Sequence, residues 1–203
     1  QNYISKGIVL DKLLESLIVS KVNYNDIIVG DKNALLIASR VLGYGKDYSF
    51  KAQSTVTNQL ENFTVDLTTL NDKELKNKDL KEVGVNEFEY TLPTTNKLIT
   101  FKLLTHGDEI SIAKEVAGQN KIRPGSNPEI STRLKYIITS IDGDSDKKTI
   151  REFVDNYLLA KDSRLLRAEI KRVSPDVELK YHGEDGQEDI NIPISLNFFW
   201  PDF

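Results

Sequence analysis

The 203-residue sequence contains no cysteine and no methionine, and only two histidines. Without cysteine there is no disulfide, no thiolate zinc site, no Fe–S cluster and no cysteine nucleophile, and the redox state of the compartment leaves no mark on the chain. Two histidines cannot build a histidine-rich metal site. Long apolar runs are also lacking: stretches such as Ile8-Val9-Leu10 and 196–200, the latter interrupted by Asn197, are well short of the ~20 residues of a membrane span. Basic excess is lacking too. With 27 Lys+Arg against 31 Asp+Glu and a net charge of -4, the balance argues against phosphate-backbone binding, and nucleic acid is not an expected partner. The sequence opens on Gln1 and has no methionine anywhere, so the expectation is that an N-terminal segment is missing. The visible start has neither the basic residues nor the apolar stretch of a secretory signal. Asn62-Phe63-Thr64 fits a glycosylation sequon, but such triplets are common by chance and nothing around it suggests secretion.

What is present is periodicity. At this length a single domain buries roughly 70–75% of its unfolded surface, enough for a core without staples. Over 8–22, Leu10, Leu13, Leu14, Leu17, Ile18 and Val22 recur at helical spacing and predict an amphipathic helix. A second helix is expected from Asp31, as cap, to a stop at Gly43. The period then becomes two in Tyr48, Phe50, Ala52 and in Phe63, Val65, Leu67, a strand pair joined by the polar tip 53–58. Segment 71–83 is charge-rich and reads as a solvated loop or short helix. Phe88, Tyr90 and Leu92, the turn Pro93-Thr94-Thr95-Asn96 and the return 98–103 make the clearest hairpin. Thr105 is placed to cap a helix carrying Ile110, Ala113 and Val116. After a loop over 119–127, Pro128 leads a helix through Ile130, Leu134, Ile137, Ile138 and Ile141 to Gly143. Helices over 150–157 and 165–173 follow, and Ser174-Pro175 breaks the pattern.

The last segment alternates again, with Val177, Leu179 and Tyr181 before the Gly-rich tip 183–186 and Ile190, Ile192, Ile194, Leu196 and Phe198 after it. Pro193 cannot donate to a ladder, so this final strand is expected at an edge or unpaired on that side. Strands, helices and strands in that order predict an α+β fold: a single domain over 1–203 with a helical block and antiparallel hairpins on both sides of it. Its subdivisions are 1–46 as a helical pair, 47–103 as hairpins, 104–175 as the helical block and 176–203 as the C-terminal hairpin.

Chemical motifs are weak. Asp142-Gly143-Asp144-Ser145-Asp146 opens like a calcium loop, but Lys147 stands where the sharp turn needs Gly and Phe153 where the bidentate Glu belongs; an acidic turn is the better reading. Gly43-Tyr44-Gly45-Lys46 is similar to a phosphate loop, yet Asp47 replaces the magnesium-binding Ser or Thr and a helix precedes it instead of a strand. His106 and His182 have no nucleophile signature around them and read better as capping or surface residues. Glu87 and Glu89 fall on the solvent face of a strand, outside the burial that a general acid–base pair needs. No catalytic residue, cofactor or metal ligand is therefore assigned, and enzymatic activity is not expected.

Two surfaces hint at partner contact. Arg164, Arg167 and Lys171 share one face of the helix from Asp162, with Arg172 nearby; a solvated face and an interface are the two readings. At the C-terminus, Phe198, Phe199, Trp200 and Phe203 crowd one end of the last strand, where Phe198 and Phe199 must point opposite ways. One face can join the core, and the other needs cover from the same chain or a neighbour.

Several segments, in order, resemble the baseplate hub protein family of T-even-type contractile-tailed bacteriophages. They are 6–17 (KGIVLDKLLESL), 28–45 (IVGDKNALLIASRVLGYG), 103–109 (LLTHGDE), 138–143 (ITSIDG), 161–167 (KDSRLLR), Ser174-Pro175-Asp176 and Phe198-Phe199-Trp200-Pro201. The resemblance implies a virion protein of the phage tail baseplate, made in the host cytoplasm. It would act through contacts with other tail or baseplate proteins, self-association included; a hub assembly chaperone absent from the mature virion is the alternative. The family usually has an additional N-terminal segment. Many members carry a Cys-x-x-Cys pair at the tips of the two outer hairpins, which join as a zinc ribbon. Here the tips read Ser54-Thr55-Val56-Thr57-Asn58 and 181–186 (YHGEDG), so the outer hairpins resemble a zinc ribbon that has lost its cysteines, and zinc is not carried over.

Overall fold

The computed structural model describes residues 3–125, 127–183, 189–194 and 196–199. In chain order its elements are helices α1 (Tyr3–Leu17) and α2 (Val29–Tyr44) and strands β1 (Asp47–Gln53), β2 (Leu60–Asp66), β3 (Asp72–Lys73), β4 (Phe88–Thr91) and β5 (Leu98–Phe101). Helices α3 (His106–Ile122) and α4 (Glu129–Ile137), strand β6 (Ile138–Ile141) and helix α5 (Lys147–Glu152) follow, the last running into a π-helical turn at Phe153–Tyr157. Helix α6 (Ala160–Val173), strands β7 (Asp176–Val177), β8 (Lys180–His182) and β9 (Asp189–Asn191) and the short helix α7 (Leu196–Phe199) come next among the described residues. All sheets are antiparallel, in the orders β1-β2, β3-β7, β4-β5-β6 and β8-β9, and the fold is α+β. The chain forms two compact units: unit 1 from Gln1–Val22, Gly30–Lys73 and Pro175–Phe203, and unit 2 from Asn23–Val29 and Glu74–Ser174. Among the described residues no helix is long and apolar enough to cross a membrane.

Unit 1 gathers on the β1-β2 hairpin. Period-two alternation buries Tyr48 and Phe50 of β1 beside Phe63 and Val65 of β2, with Phe50 and Phe63 directly opposite. The β8-β9 hairpin joins the same core. Tyr181 packs on Phe63 and Phe50 with ring centroids 5.2 and 6.4 Å apart, and Ile190 and Ile192 are buried. The two outer hairpins of the chain therefore meet through aromatic packing. Helix α2 contributes Leu36 and Ile37 and closes on Arg40, whose guanidinium donates to the carbonyls of Gly45 and Asp47 at 3.1 and 3.3 Å. Near the start of α2, position 30 has no room for a side chain. A Cβ there would lie 1.8 Å from the Pro175 carbonyl oxygen, while Asn33 donates to Asp176 at 3.1 Å beside it.

The core of unit 2 is built from Phe88, Leu92, Ile99 and Phe101 of the central hairpin against Leu134, Ile137, Ile150, Phe153, Leu166 and Val173 of the helices. Phe88 and Phe101 are paired in register and stack at 5.2 Å. Each such fully buried side chain contributes about 1.5–3 kcal/mol of hydrophobic stabilisation. Helix α3 starts with the capping box expected at Thr105: Asp108 N–H donates to Thr105 Oγ1 at 3.3 Å, and Thr105 N–H donates back to the Asp108 carboxylate at 3.0 Å.

Several elements depart from the sequence expectation. Helix α1 ends at Leu17 instead of reaching Val22, and Val19 is 99% exposed; Val19, Ser20 and Val22 favour non-helical backbone. Helix α2 begins at Val29, so Asp31 sits in its first turn instead of capping it. The expected solvated loop after Asn71 contains β3, which pairs with β7, and its Leu75 and Leu80 pack on the unit 2 core. The expected helix through Ile141 stops at Ile137, and 138–141 is a strand. Its inward residues Ile138 and Ile141 are three apart because Thr139 is an extra residue in a bulge, which makes a strand imitate helical spacing. The last strand ends at Asn191: Pro193 cannot donate, its carbonyl accepts from the Tyr48 hydroxyl at 3.0 Å, and 196–199 is a helical turn.

Candidate functional site

Helix α6 is anchored by Asp162, Leu166, Ile170 and Val173, spaced four, four and three residues apart and facing inward. The same period turns Arg164, Arg167, Lys171 and Arg172 outward, all exposed, so the basic face expected from the sequence is real. Arg167 donates to the Ser163 carbonyl at 3.3 Å, and Arg164 makes no ion pair among the described residues. Arg172 is held at the edge of the face. It bridges Glu169 at 2.7 Å and Asp79 at 2.9 Å, and Arg172 keeps the Asp79 carboxyl below its ordinary value. Being exposed, this basic stripe contributes little to the fold.

The inward end of α6 carries a residue that the sequence reading missed. The Asp162 side chain is wholly buried, and its two oxygens accept the N–H groups of Thr94 and Thr95 at 2.9 and 3.0 Å and the Thr95 hydroxyl at 2.9 Å. Burial alone would push this carboxyl up, but those hydrogen bonds outweigh it and hold it below its ordinary value. The available signal was an Asp at an inward position of the helical period. From the other side of the same β4-β5 turn, Asp142 accepts from Leu98 N–H at 2.9 Å and pairs with Lys97 at 2.6 Å.

The aromatic end of the chain divides. Phe198 and Phe199 are 0% and 3% exposed within unit 1, Phe198 packing edge-on against Tyr48 at 4.8 Å. They lie in a helical turn, not on opposite faces of a strand, and cover for both comes from the chain itself. Trp200 and Phe203 lie outside the described residues.

The remaining motifs resolve into structure. In the Asp142–Asp146 turn, Asp144 accepts the Asp146 N–H, and Asp146 caps α5 through Lys148 and Thr149. Gly43 to Lys46 closes α2, with Lys46 paired to Asp66. His106 is buried edge-on to Tyr24 at 4.6 Å, and His182 is exposed at the end of β8. At the first outer tip, the buried Ser54 hydroxyl oxygen accepts N–H groups of Val56 and Thr57 at 3.1 and 2.9 Å, a turn made without a thiolate; these donors do not fit zinc. Of the second tip, 184–186 lie outside the described residues. Among the described residues no group of three or more His, Asp or Glu side chains is arranged to hold a metal ion.

No protein-family model, curated protein or solved structure matches this chain.

Proposed function

We propose that the chain is a structural or assembly protein of a contractile phage tail, part of or accessory to the baseplate hub, and that it works by protein–protein contact without catalysis. The observation that carries this reading is where the resembling segments lie. In unit 2, the segment at 28–31 meets the one at 103–109: Val29 N–H donates to the Leu104 carbonyl at 3.1 Å, and His106 N–H to the Ile27 carbonyl at 2.9 Å. Asp142 and Asp162, from two further segments, lock the two sides of one hairpin turn. In unit 1, Gly30 lies against Pro175. Residues that carry the resemblance thus make several of the contacts that hold the fold, which supports reading it as shared architecture. The basic α6 face supplies the contact surface in this reading, toward an acidic neighbour.

Mass spectrometry of purified particles of the encoding phage tests it. The chain is expected among the tail proteins, and its absence would reassign it as an assembly chaperone. Reversing the face with Arg164→Glu, Arg167→Glu and Lys171→Glu together is expected to stop tail assembly while each change alters stability by less than about 0.5 kcal/mol.

A further inference from the structure

Unit 2 contains a cavity of about 400 Å³ on the outer side of β6, the edge strand of the three-stranded sheet. It is lined by Lys102, Lys135, Lys147 and Arg151, by Thr139 and Ser145, and by one acid, Asp108. Three of the cations are held in place by acids: Lys102 by Asp108 at 2.8 Å, Lys135 by Asp155 at 2.7 Å, and Arg151 by both oxygens of Glu115 at 2.7 and 2.9 Å. The Tyr136 hydroxyl donates to the same Glu115 at 3.0 Å. Lys135 is a built part of the wall, with a side chain only 8% exposed. Lys147 makes no ion pair among the described residues, so these four cations and their three acid partners, Asp108, Asp155 and Glu115, together carry one positive charge in excess.

The second observation is Thr139. It is the extra residue of the β6 bulge, between Ile138 opposite Phe101 and Ser140 opposite Thr100. A bulge re-aims a side chain at the cost of a local break in the ladder. Here the re-aimed side chain lines the cavity, and its Oγ1 is buried without a hydrogen-bond partner. An unmatched buried hydroxyl costs stability, so nothing in the fold itself accounts for it. Ammonium and guanidinium groups donate and cannot accept, so a group that satisfies this lining must be negative and rich in acceptors.

We propose that this cavity binds an oxyanion, a carboxylate or phosphate group, seated between Lys147 and Lys135, with a rotation about χ1 of Thr139 turning its hydroxyl toward the anion. The site is independent of the tail-protein reading. Its chemistry admits two sources, a free small anion or an acidic side chain of a protein partner. Two-dimensional amide NMR of the full chain, titrated separately with inorganic phosphate, succinate and an acetylated acidic peptide at constant ionic strength set with chloride, distinguishes them. Saturating shifts at Thr139, Ser145 and Lys147 with phosphate or succinate support the free anion. Saturation with the peptide alone supports the protein side chain. Lys147→Glu is expected to abolish saturation while leaving distant resonances in place. Thr139→Val is expected to weaken binding about threefold to tenfold without lowering Tm, since it removes a hydroxyl that the free fold does not satisfy. Absence of saturation by any of the three probes, equal affinity in Lys147→Glu, or a lowered Tm with unchanged affinity in Thr139→Val would overturn the proposal.

Discussion

Removing the Phe198 ring separates core from interface at the aromatic end of the chain. The side chain is 0% exposed, with Tyr48 at 4.8 Å and Phe199 at 5.1 Å, both edge-on. Phe198→Ala loses the transfer free energy of the ring and leaves a cavity in a core already fixed by the β1-β2 hairpin, so the cost is about 3–5 kcal/mol, a figure that includes the two ring contacts. At roughly 2–4 °C per kcal/mol for a chain of this size, Tm should fall by about 6–20 °C. Phe198→Leu keeps most of the volume and should cost less, in the range of about 1–2 kcal/mol. Differential scanning calorimetry of the purified chain, with near-ultraviolet circular dichroism to follow the tyrosine environment, reads both variants. A Tm unchanged in Phe198→Ala, with association lost instead, would refute the intramolecular packing and return Phe198 to the interface.

Gly30→Ala places a Cβ against the backbone of Pro175, which cannot move like a side-chain end, and is expected to cost about 1–3 kcal/mol in urea titration; Gly43→Ala, with nothing within 4 Å, should be neutral or stabilising. Thr105→Ala removes the α3 cap and should destabilise by about 1 kcal/mol, read from the same titration. The Arg151 guanidinium and the Tyr136 hydroxyl, against the opposing effect of burial, hold the Glu115 carboxyl down at about 2. A lowered folded-state value makes the contribution complete above the ordinary carboxyl range and progressively lost as pH falls from there through about 2. Arg151→Gln should therefore flatten stability against pH in that acid interval and change its slope little near neutrality.

Much of this fold was legible because each residue's local preference agreed with its surroundings. Tyr48 with Phe50, Phe63 with Val65, and the Pro93–Asn96 turn gave hairpins by alternation and turn chemistry, and Thr105 with Asp108 fixed a helix start to the residue. Reading failed where tertiary contacts overrode the period. The Thr139 bulge turned a strand's spacing into three, and Pro193 ended a strand whose alternation ran on through Phe198. The basic face of α6 was readable from residue spacing alone, since Arg164, Arg167 and Lys171 need only a helix to share a side. Asp162 and the cation-lined cavity were not: the first depends on a turn 67 residues away, and the second on Lys102, which follows β5, and on cations from α4 and α5 that converge only in three dimensions.

The central claim is that this chain is a working part of a contractile tail. An electron cryomicroscopy reconstruction of the intact particle tests it most directly. Density for this fold is expected in the baseplate, in a number set by the three-fold or six-fold symmetry of the tail, with Arg164, Arg167 and Lys171 turned toward an acidic surface of a neighbouring subunit. A complete, well-resolved tail and baseplate in which every density belongs to other proteins would contradict it.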